Sequence, residues 1–146
     1  MLKVKIFTTL LAIFFAGITC VLADGNDLDV EEFISKHKAR VEKAGIDDWE
    51  TFAECANALV TKRIASEEVI LWIDKSIEIK ETIYNRTVKG DYLVCKGKIK
   101  EAQNEYIRAI ELARELNKND EIPGIQWKIL ISMGVENYNN FHSINQ

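Results

Sequence analysis

Apolar residues recur at every third or fourth position through most of the chain, which is the spacing that places side chains on one face of an α-helix. The clearest stretch is Lys98–Asn117. Its buried line is predicted to hold Ile99, Ala102, Tyr106, Ala109 and Leu112. The alternation of apolar and polar residues that indicates a β-strand is scarce, and Pro123 is the single proline. The pattern therefore predicts an all-α protein.

Residues that cap helices divide the pattern into segments. Asp29 followed by Glu32 has the form of a capping box and predicts the start of the first helix, which Gly45 is placed to end. Asp47 followed by Glu50 repeats the device for a second helix. The predicted core face of that second helix holds Trp49, Ala53, Ala56 and Val60.

Four further boundaries follow. Ser66 is predicted to open a third helix, whose wide apolar stripe implies burial. A fourth helix is predicted over Glu81–Lys96, Gly97 permits the tight turn after it, and Asn117–Gly124 is a loop. The last helix is predicted to stack Trp127, Leu130, Ile131 and Tyr138 on one face.

The first 23 residues have the features of a secretory signal peptide. Lys3 and Lys5 give a positive start, and Ile6–Ile18 is an uncharged apolar run that is too short to span a bilayer comfortably. Ala23 is small enough for signal peptidase, and polar residues follow it directly. We therefore expect cleavage after Ala23, secretion or export to the periplasm, and a mature domain over residues 24–146 without an integral membrane segment.

The charge of the chain argues against nucleic acid or an anionic membrane surface as its main partner. The sequence holds 19 basic and 23 acidic residues, for a net charge of −4. Loss of Lys3 and Lys5 leaves 17 basic residues and a net charge of −6. Binding to phosphates requires a basic surface instead.

Chemistry that depends on local motifs is not indicated. The two histidines, His37 and His142, lie at opposite ends of the chain, so they form no cluster with the short spacing of a metal site. Cys55 and Cys95 do not form a Cys-x-x-Cys motif, and we expect buried thiols that are not bonded to each other. These observations predict a protein that is not an enzyme and that carries no cofactor.

One glycosylation sequon is present, at Asn85-Arg86-Thr87. Such a sequence has meaning mainly in a eukaryotic secretory pathway, and we interpret it as a chance occurrence.

The chain contains an internal repeat at an offset of 33 residues. Lys75–Ile79 aligns with Arg108–Leu112, which is 108 − 75 = 33 positions later. Each copy is a pair of short helices, over about 49–81 and 82–116, and a capping helix follows over about 123–139.

The second copy resembles the tetratricopeptide repeat (TPR). The resemblance is carried by Gly90, Gly97, Ala102, Tyr106 and Ala109. It implies antiparallel helical hairpins stacked as a short α-solenoid, with an N-terminal helix before them and the capping helix after them. In such a hairpin, small residues let two helices approach closely and an aromatic ring fills the gap to the next pair.

Three positions depart from that family's pattern. Arg86 stands where the family has a large apolar residue, and in the first copy Asn57 and Ile64 align with Gly90 and Gly97. The stretch from Trp49 through Leu112 also resembles the helical C-terminal tail of an uncharacterised family of secreted bacterial proteins.

The TPR resemblance implies a binding face on the first helix of each hairpin. We call these eight positions the predicted binding face: Thr51, Glu54, Ala58, Thr61, Tyr84, Thr87, Asp91 and Cys95. The Lys and Asn clamp that some members of the family use for a peptide's terminal carboxylate is replaced here by Glu54, Ala58 and Val88.

Two functions are compatible with these features. The first is an exported protein-interaction module, a TPR-like scaffold or adaptor that binds a protein or peptide partner. The alternative is a small periplasmic ligand-binding or hydrolase-accessory protein whose site is assembled from distant residues. An open groove would favour the first, and a closed apolar cavity with a buried charged residue would favour the second.

We expect protein purified from the envelope fraction of its own cells to begin at Asp24, because signal peptidase requires a small residue at the cleavage position. Intact-mass measurement tests this. A species that begins at Met1 would indicate an uncleaved anchor, and a lipid-modified Cys20 would indicate a lipoprotein.

Overall fold

The computed structural model describes residues 27–144, with side-chain environments over 29–134, so the predicted signal peptide lies outside the described residues. All regular structure in the described residues is helical. The α-helices are α1 (Asp27–Val41), α2 (Trp49–Thr61), α3 (Glu67–Ile79), α4 (Ile83–Cys95), α5 (Ile99–Glu115) and α6 (Ile122–Ile144), with a 3₁₀ turn over Asn119–Glu121 between the last two. The all-α prediction is confirmed. In this part of the chain, no helix combines the length and apolarity needed to cross a bilayer.

The helices pack as two stacked hairpins with one helix at each end. Helices α2 and α3 form the first hairpin, and α4 and α5 form the second. Helix α4 packs on both helices of the first hairpin, α1 packs on α2, and α6 packs on α5. The core runs through all of these contacts, and its fully buried residues include Ala53, Leu59, Val69, Ile73 and Ala109.

The helices start close to their predicted positions, but some of the capping residues differ. Helix α1 already includes Asp27, so Asp29 lies inside it and the predicted capping box at Asp29 is wrong. Helix α2 is capped by Asp48 instead of Asp47, and the Asp48 carboxylate accepts the backbone N–H of Thr51 at 3.0 Å. Ser66 precedes α3 as predicted. Sequence analysis missed the capping box of α4, in which Thr82 and Asn85 bond reciprocally.

Three helices end in the same way. Arg63, Gly97 and Asn117 have positive φ angles of 59°, 72° and 57°. The residue after each donates its backbone N–H to the carbonyl five positions back, in the preceding helix, at 2.8–2.9 Å. The turn predicted at Gly97 is confirmed. Gly45 does not have this role, because α1 ends at Val41, four residues earlier.

These ends correct the repeat register. The first helices of the two hairpins start 83 − 49 = 34 positions apart, and their left-handed residues are 97 − 63 = 34 positions apart. Buried residues of the second helices keep the offset of 33, as in Ile73 and Tyr106. The α2–α3 turn therefore holds one additional residue. Arg63, not Ile64, is equivalent to Gly97, and the small, fully buried Ala56 is equivalent to Gly90.

Helices α4 and α5 pack tightly at Gly90. A Cβ atom added to Gly90 would lie 2.3 Å from Cε1 of the Tyr106 ring. Tyr106 is buried, so its ring has little space into which to move. In the first hairpin the equivalent residues are Ala56 and Ile73, both fully buried. Ala56 has a Cβ atom that Gly90 lacks, and Ile73 is smaller than Tyr106.

An ion-pair network takes the place of apolar packing at Arg86. The Arg86 guanidinium donates to Glu81 at 2.8 Å and to Glu105 of α5 at 2.8 Å. Arg108 of α5 also donates to Glu81, at 2.8 Å, and Lys89 lies 3.6 Å from Glu105. Arg86 therefore fills a partly buried position in which its charge is balanced by two carboxylates.

The orientation of α6 contradicts the prediction. Trp127, Leu130 and Ile131 are exposed by 63%, 58% and 50%, whereas Ile125 and Ser132 are buried. Helix α6 has apolar residues on both sides, so periodicity alone did not determine which side faces α5.

The bounds of α6 also differ from the prediction. The helix starts at Ile122 and extends to Ile144, so it exceeds the predicted range of 123–139 at both ends. Pro123 and Gly124 therefore lie in its first turn instead of a loop. The side chain of Tyr138 lies outside the described set.

We expect Gly90→Ala to lower the free energy of unfolding by about 1–3 kcal/mol, because the added Cβ overpacks the Tyr106 ring. This would occur although alanine has the higher helix propensity, by about 1 kcal/mol. Gly124→Ala is the matched control, since an added Cβ there meets nothing within 4 Å. Urea denaturation of both variants tests the packing, and a Gly90→Ala variant as stable as the wild type would contradict it.

The network also predicts a pH dependence. Hydrogen bonds from Arg108 lower the pKa of Glu81 to about 2, from a usual value near 4.5, and those from Arg86 act in the same direction. A carboxylate with a lowered pKa stabilises the fold above its unfolded pKa, and that contribution is lost as pH falls from about 4.5 towards 2.

We therefore expect Glu81→Gln to destabilise the protein by about 1–2 kcal/mol at pH 7, between the values for exposed and buried pairs. The difference from the wild type should shrink between pH 4.5 and pH 2. Urea denaturation at several pH values measures it, and Glu78→Gln, which removes an exposed helical pair with Lys75, is the control. A difference that did not change with pH would contradict the role of Glu81.

Candidate interaction surface

The predicted binding face is contributed by α2 and α4, which pack against each other. Thr51, Glu54, Ala58 and Thr61 lie on α2, and Tyr84, Thr87, Asp91 and Cys95 lie on α4. Every one of the eight retains contact with solvent. The structure brings Glu54 and Tyr84 together where α2 meets α4, whereas Asp91 bonds to residues of α5 and α6.

Tyr84 and Glu54 meet where the two hairpins join. Burial raises the pKa of the Tyr84 hydroxyl, the negative charge of Glu54 raises it further, and the neighbouring Asn57 lowers it. The Tyr84 ring is still 39% exposed. Glu54 also forms an ion pair with Arg40 of α1. A half-exposed aromatic ring therefore sits beside a carboxylate whose charge is already compensated.

Asp91 is the centre of a second cluster, which connects three helices. Its carboxylate accepts the Tyr106 hydroxyl of α5 at 2.7 Å, and Lys128 Nζ of α6 lies 2.8 Å from both carboxylate oxygens. Burial raises the pKa of Tyr106 well above its usual value, and Asp91 and Cys95 act in the same direction. The Tyr106 hydroxyl thus stays protonated and donates to Asp91, so the cluster ties α4, α5 and α6 together.

The remaining positions have local environments. The backbone of Thr51 belongs to the cap of α2, and the Thr87 hydroxyl donates to the Ile83 carbonyl of its own helix at 2.8 Å. Ala58 is half-buried and Thr61 is exposed. These residues add small and hydroxyl-bearing surface on either side of Tyr84 and Asp91.

Sequence analysis missed several residues of this surface. Because the first helices are offset by 34, Asn57, and not Ala58, is equivalent to Asp91. Lys128 lies on α6, outside the two repeats, so the repeat gave no signal for it. Arg40 carried no such signal, since α1 lies outside the repeat.

The two thiols differ in environment. Cys55 is fully buried in α2, and burial raises the pKa of its thiol. Cys95 is partly exposed at the last position of α4, so the expectation of a buried thiol is wrong for this residue. No disulfide joins the two.

Asn85 of the sequon has a structural role. Its side chain is fully buried, and its amide nitrogen donates to the Ser76 hydroxyl at 3.0 Å and to the Lys80 carbonyl at 2.8 Å. Ser76 in turn donates to the Trp49 carbonyl at 2.8 Å. This chain of bonds joins the starts of α2 and α4 to the end of α3, and it leaves the Asn85 nitrogen inaccessible to a glycosyltransferase in the folded protein.

A groove of about 530 Å³ lies on the other side of α4, between α3 and α5. None of the eight predicted residues lines it. Its charged residues are largely paired with each other: Lys89 lies 2.8 Å from Asp74, and Lys98 lies 3.3 Å from Glu101. The groove is open to solvent and mixed in polarity, so it is not the closed apolar cavity that would indicate a small-molecule site.

No set of three or more His, Cys, Asp and Glu side chains in the described residues is arranged to hold a metal ion. Comparison of the chain with protein-family models found no match, and comparisons with curated proteins and with solved structures likewise matched nothing.

Proposed function

We propose that this protein is an exported protein-interaction module, a TPR-like scaffold or adaptor that is not an enzyme. The stacked hairpins support the scaffold, as does the period of 34 between their first helices. The equivalence of Ala56 and Gly90 adds support, because both hairpins then have a small, buried residue at this position.

The observation that carries the proposal is the half-exposed Tyr84 ring at the joint between the hairpins. Tyrosine is enriched at the energetic centres of protein interfaces, because it combines a large apolar area with a hydroxyl and has few rotatable bonds. Tyr84 belongs to α4 and its neighbours Glu54 and Asn57 belong to α2, so a segment bound at the ring would contact both hairpins at once.

Charge compensation favours a particular kind of partner. Glu54 and Asp91 are paired with Arg40 and Lys128, so the surface has little charge to offer a strongly charged ligand. Its remaining groups are hydroxyls, the Asn57 amide and the tyrosine ring, which suit hydrogen bonding to a peptide backbone. A short peptide segment of low charge that crosses α2 and α4 fits this surface.

The alternative is a periplasmic ligand-binding or hydrolase-accessory protein, and its ligand would bind in the groove between α3, α4 and α5. Its volume of about 530 Å³ is in the range of small-molecule sites, and its lining comes from three helices. The mutual pairing of its lysines and carboxylates counts against it, because a ligand would have to replace existing ion pairs.

We expect Tyr84→Ala to abolish capture of the partner from an envelope fraction, with mass spectrometry as the readout, because truncating an aromatic centre weakens an interface by about tenfold or more. Ile107→Ala on α5 is the matched control, since it truncates an exposed side chain on a helix outside the predicted binding face. Far-ultraviolet circular dichroism checks that both variants are folded.

The affinity of the identified partner is then measured by calorimetry with the purified proteins. Equal capture by wild type and Tyr84→Ala would contradict the proposed surface. Loss of capture with Lys96→Glu but not with Tyr84→Ala would favour the groove, which Lys96 lines.

A further inference from the structure

The described part of α6, residues 122–134, has an exposed apolar surface on its outer face. Its large residues are Trp127, Leu130, Ile131 and Met133. Of these, Trp127, Leu130 and Ile131 share one face with Gly134, since positions three, four and seven apart align along an α-helix. The opposite face, with Ile125 and Ser132, is buried. Surface of this size and apolarity on a soluble protein usually marks a contact site.

We propose that this face binds a second copy of the same chain, with the two α6 helices antiparallel about a twofold axis. It lies apart from the predicted binding face, so the proposal goes beyond the function proposed above and does not depend on it. A twofold contact requires a surface that is complementary to itself. If residue i of one copy contacts residue j of the other, then residue j of the first copy also contacts residue i of the second.

The order of residues along α6 meets that requirement. Positions 127 and 134 are equally far from the midpoint between 130 and 131, so an antiparallel pair centred there places Trp127 opposite Gly134 of the other copy. Leu130 then lies opposite Ile131. A Cβ added at Gly134 would meet nothing within 4 Å, so there is open space for an indole ring. The largest side chain of the face thus meets its smallest residue.

Charge is compatible with this partner, and area sets the strength of the contact. The stripe Trp127, Leu130, Ile131 and Gly134 carries no charge, and the adjacent Lys128 is bound to Asp91 on another side of the helix, so these residues bring no like charges together. From their exposed fractions, the three large side chains of the stripe offer roughly 350 Å² of surface per copy, as a large aromatic side chain presents about 150–250 Å². A total of roughly 700 Å² is below the standard size of a stable interface, so the contact is weak and the dimer should dissociate on dilution.

Sedimentation equilibrium of the purified protein, in the form isolated from cells, tests the proposal without any partner present. We expect a reversible monomer–dimer equilibrium. Ile131→Glu should weaken it by more than about tenfold, because the variant buries an unpaired charge. Leu71→Glu on α3 is the matched control, since Leu71 is also an exposed aliphatic residue but lies on another helix, and it should leave the equilibrium unchanged.

The register has a test of its own. Gly134→Leu should weaken the dimer by filling the space for Trp127, and the double variant Trp127→Ala/Gly134→Leu should recover most of the association. A wild-type protein that remains monomeric at millimolar concentration would overturn the proposal, as would a monomer that instead adsorbs to phosphatidylcholine vesicles. An Ile131→Glu variant that dimerises like the wild type, or a Gly134→Leu variant that loses nothing, would also overturn it. Tyr84→Ala should dimerise normally, which separates this inference from the proposed function.

Discussion

The contact between the Tyr106 ring and the backbone of Gly90 holds the second hairpin and the last helix in place. The ring occupies the space that a side chain at position 90 would take, so α4 and α5 approach closely only because that position is a glycine. The hydroxyl at the far end of the ring is buried, and an unsatisfied buried hydroxyl would cost about 1–3 kcal/mol. Asp91 removes that cost, and Lys128 balances Asp91. Helix α6 is therefore positioned on α5 partly through a residue of α4.

Hydrogen bonds and ion pairs fix the geometry at the junction of the two hairpins and beside it. The chain of hydrogen bonds through Asn85 and Ser76 joins three helix ends, and the Glu81–Arg86–Glu105 network joins the α3–α4 turn to α5. Apolar burial supplies most of the driving force in a fold of this kind, but it is not directional. Hydrogen bonds and ion pairs in partly buried positions favour one stacking arrangement over slipped alternatives, because slippage would leave polar groups without partners.

The two surfaces discussed above differ in a way that follows from these contacts. On α2 and α4 the charges are paired internally, and what remains accessible is a tyrosine ring among hydroxyl and amide groups. On the described part of α6 the large exposed side chains are apolar, and the neighbouring Lys128 is turned towards Asp91. The first arrangement suits a peptide backbone, which needs hydrogen-bonding partners. The second suits another apolar helix, which needs only shape and area.

The sequence by itself determined the helices, because the spacing of apolar residues and the residues that end helices act locally. Lys98–Asn117 and the turn at Gly97 are examples, and so is the small residue at Ala109, which is fully buried as its position in the repeat required. The offset of the repeat was recovered to within one residue. The error came from the α2–α3 turn, where Arg63 adopts a left-handed conformation that glycine usually supplies.

Only the tertiary structure decided which side of α6 is buried and which residues complete the candidate surface. Trp127, Leu130 and Ile131 form as regular a stripe as any in the chain, yet Ile125 and Ser132 face α5. A helix with apolar residues on both sides satisfies the periodicity in either orientation, and the ion pair from Lys128 to Asp91 is compatible with only one of them. Lys128 and Asp91 are 37 positions apart in the sequence, so no local pattern predicts their contact. The two residues come together only when α6 packs against the stacked hairpins.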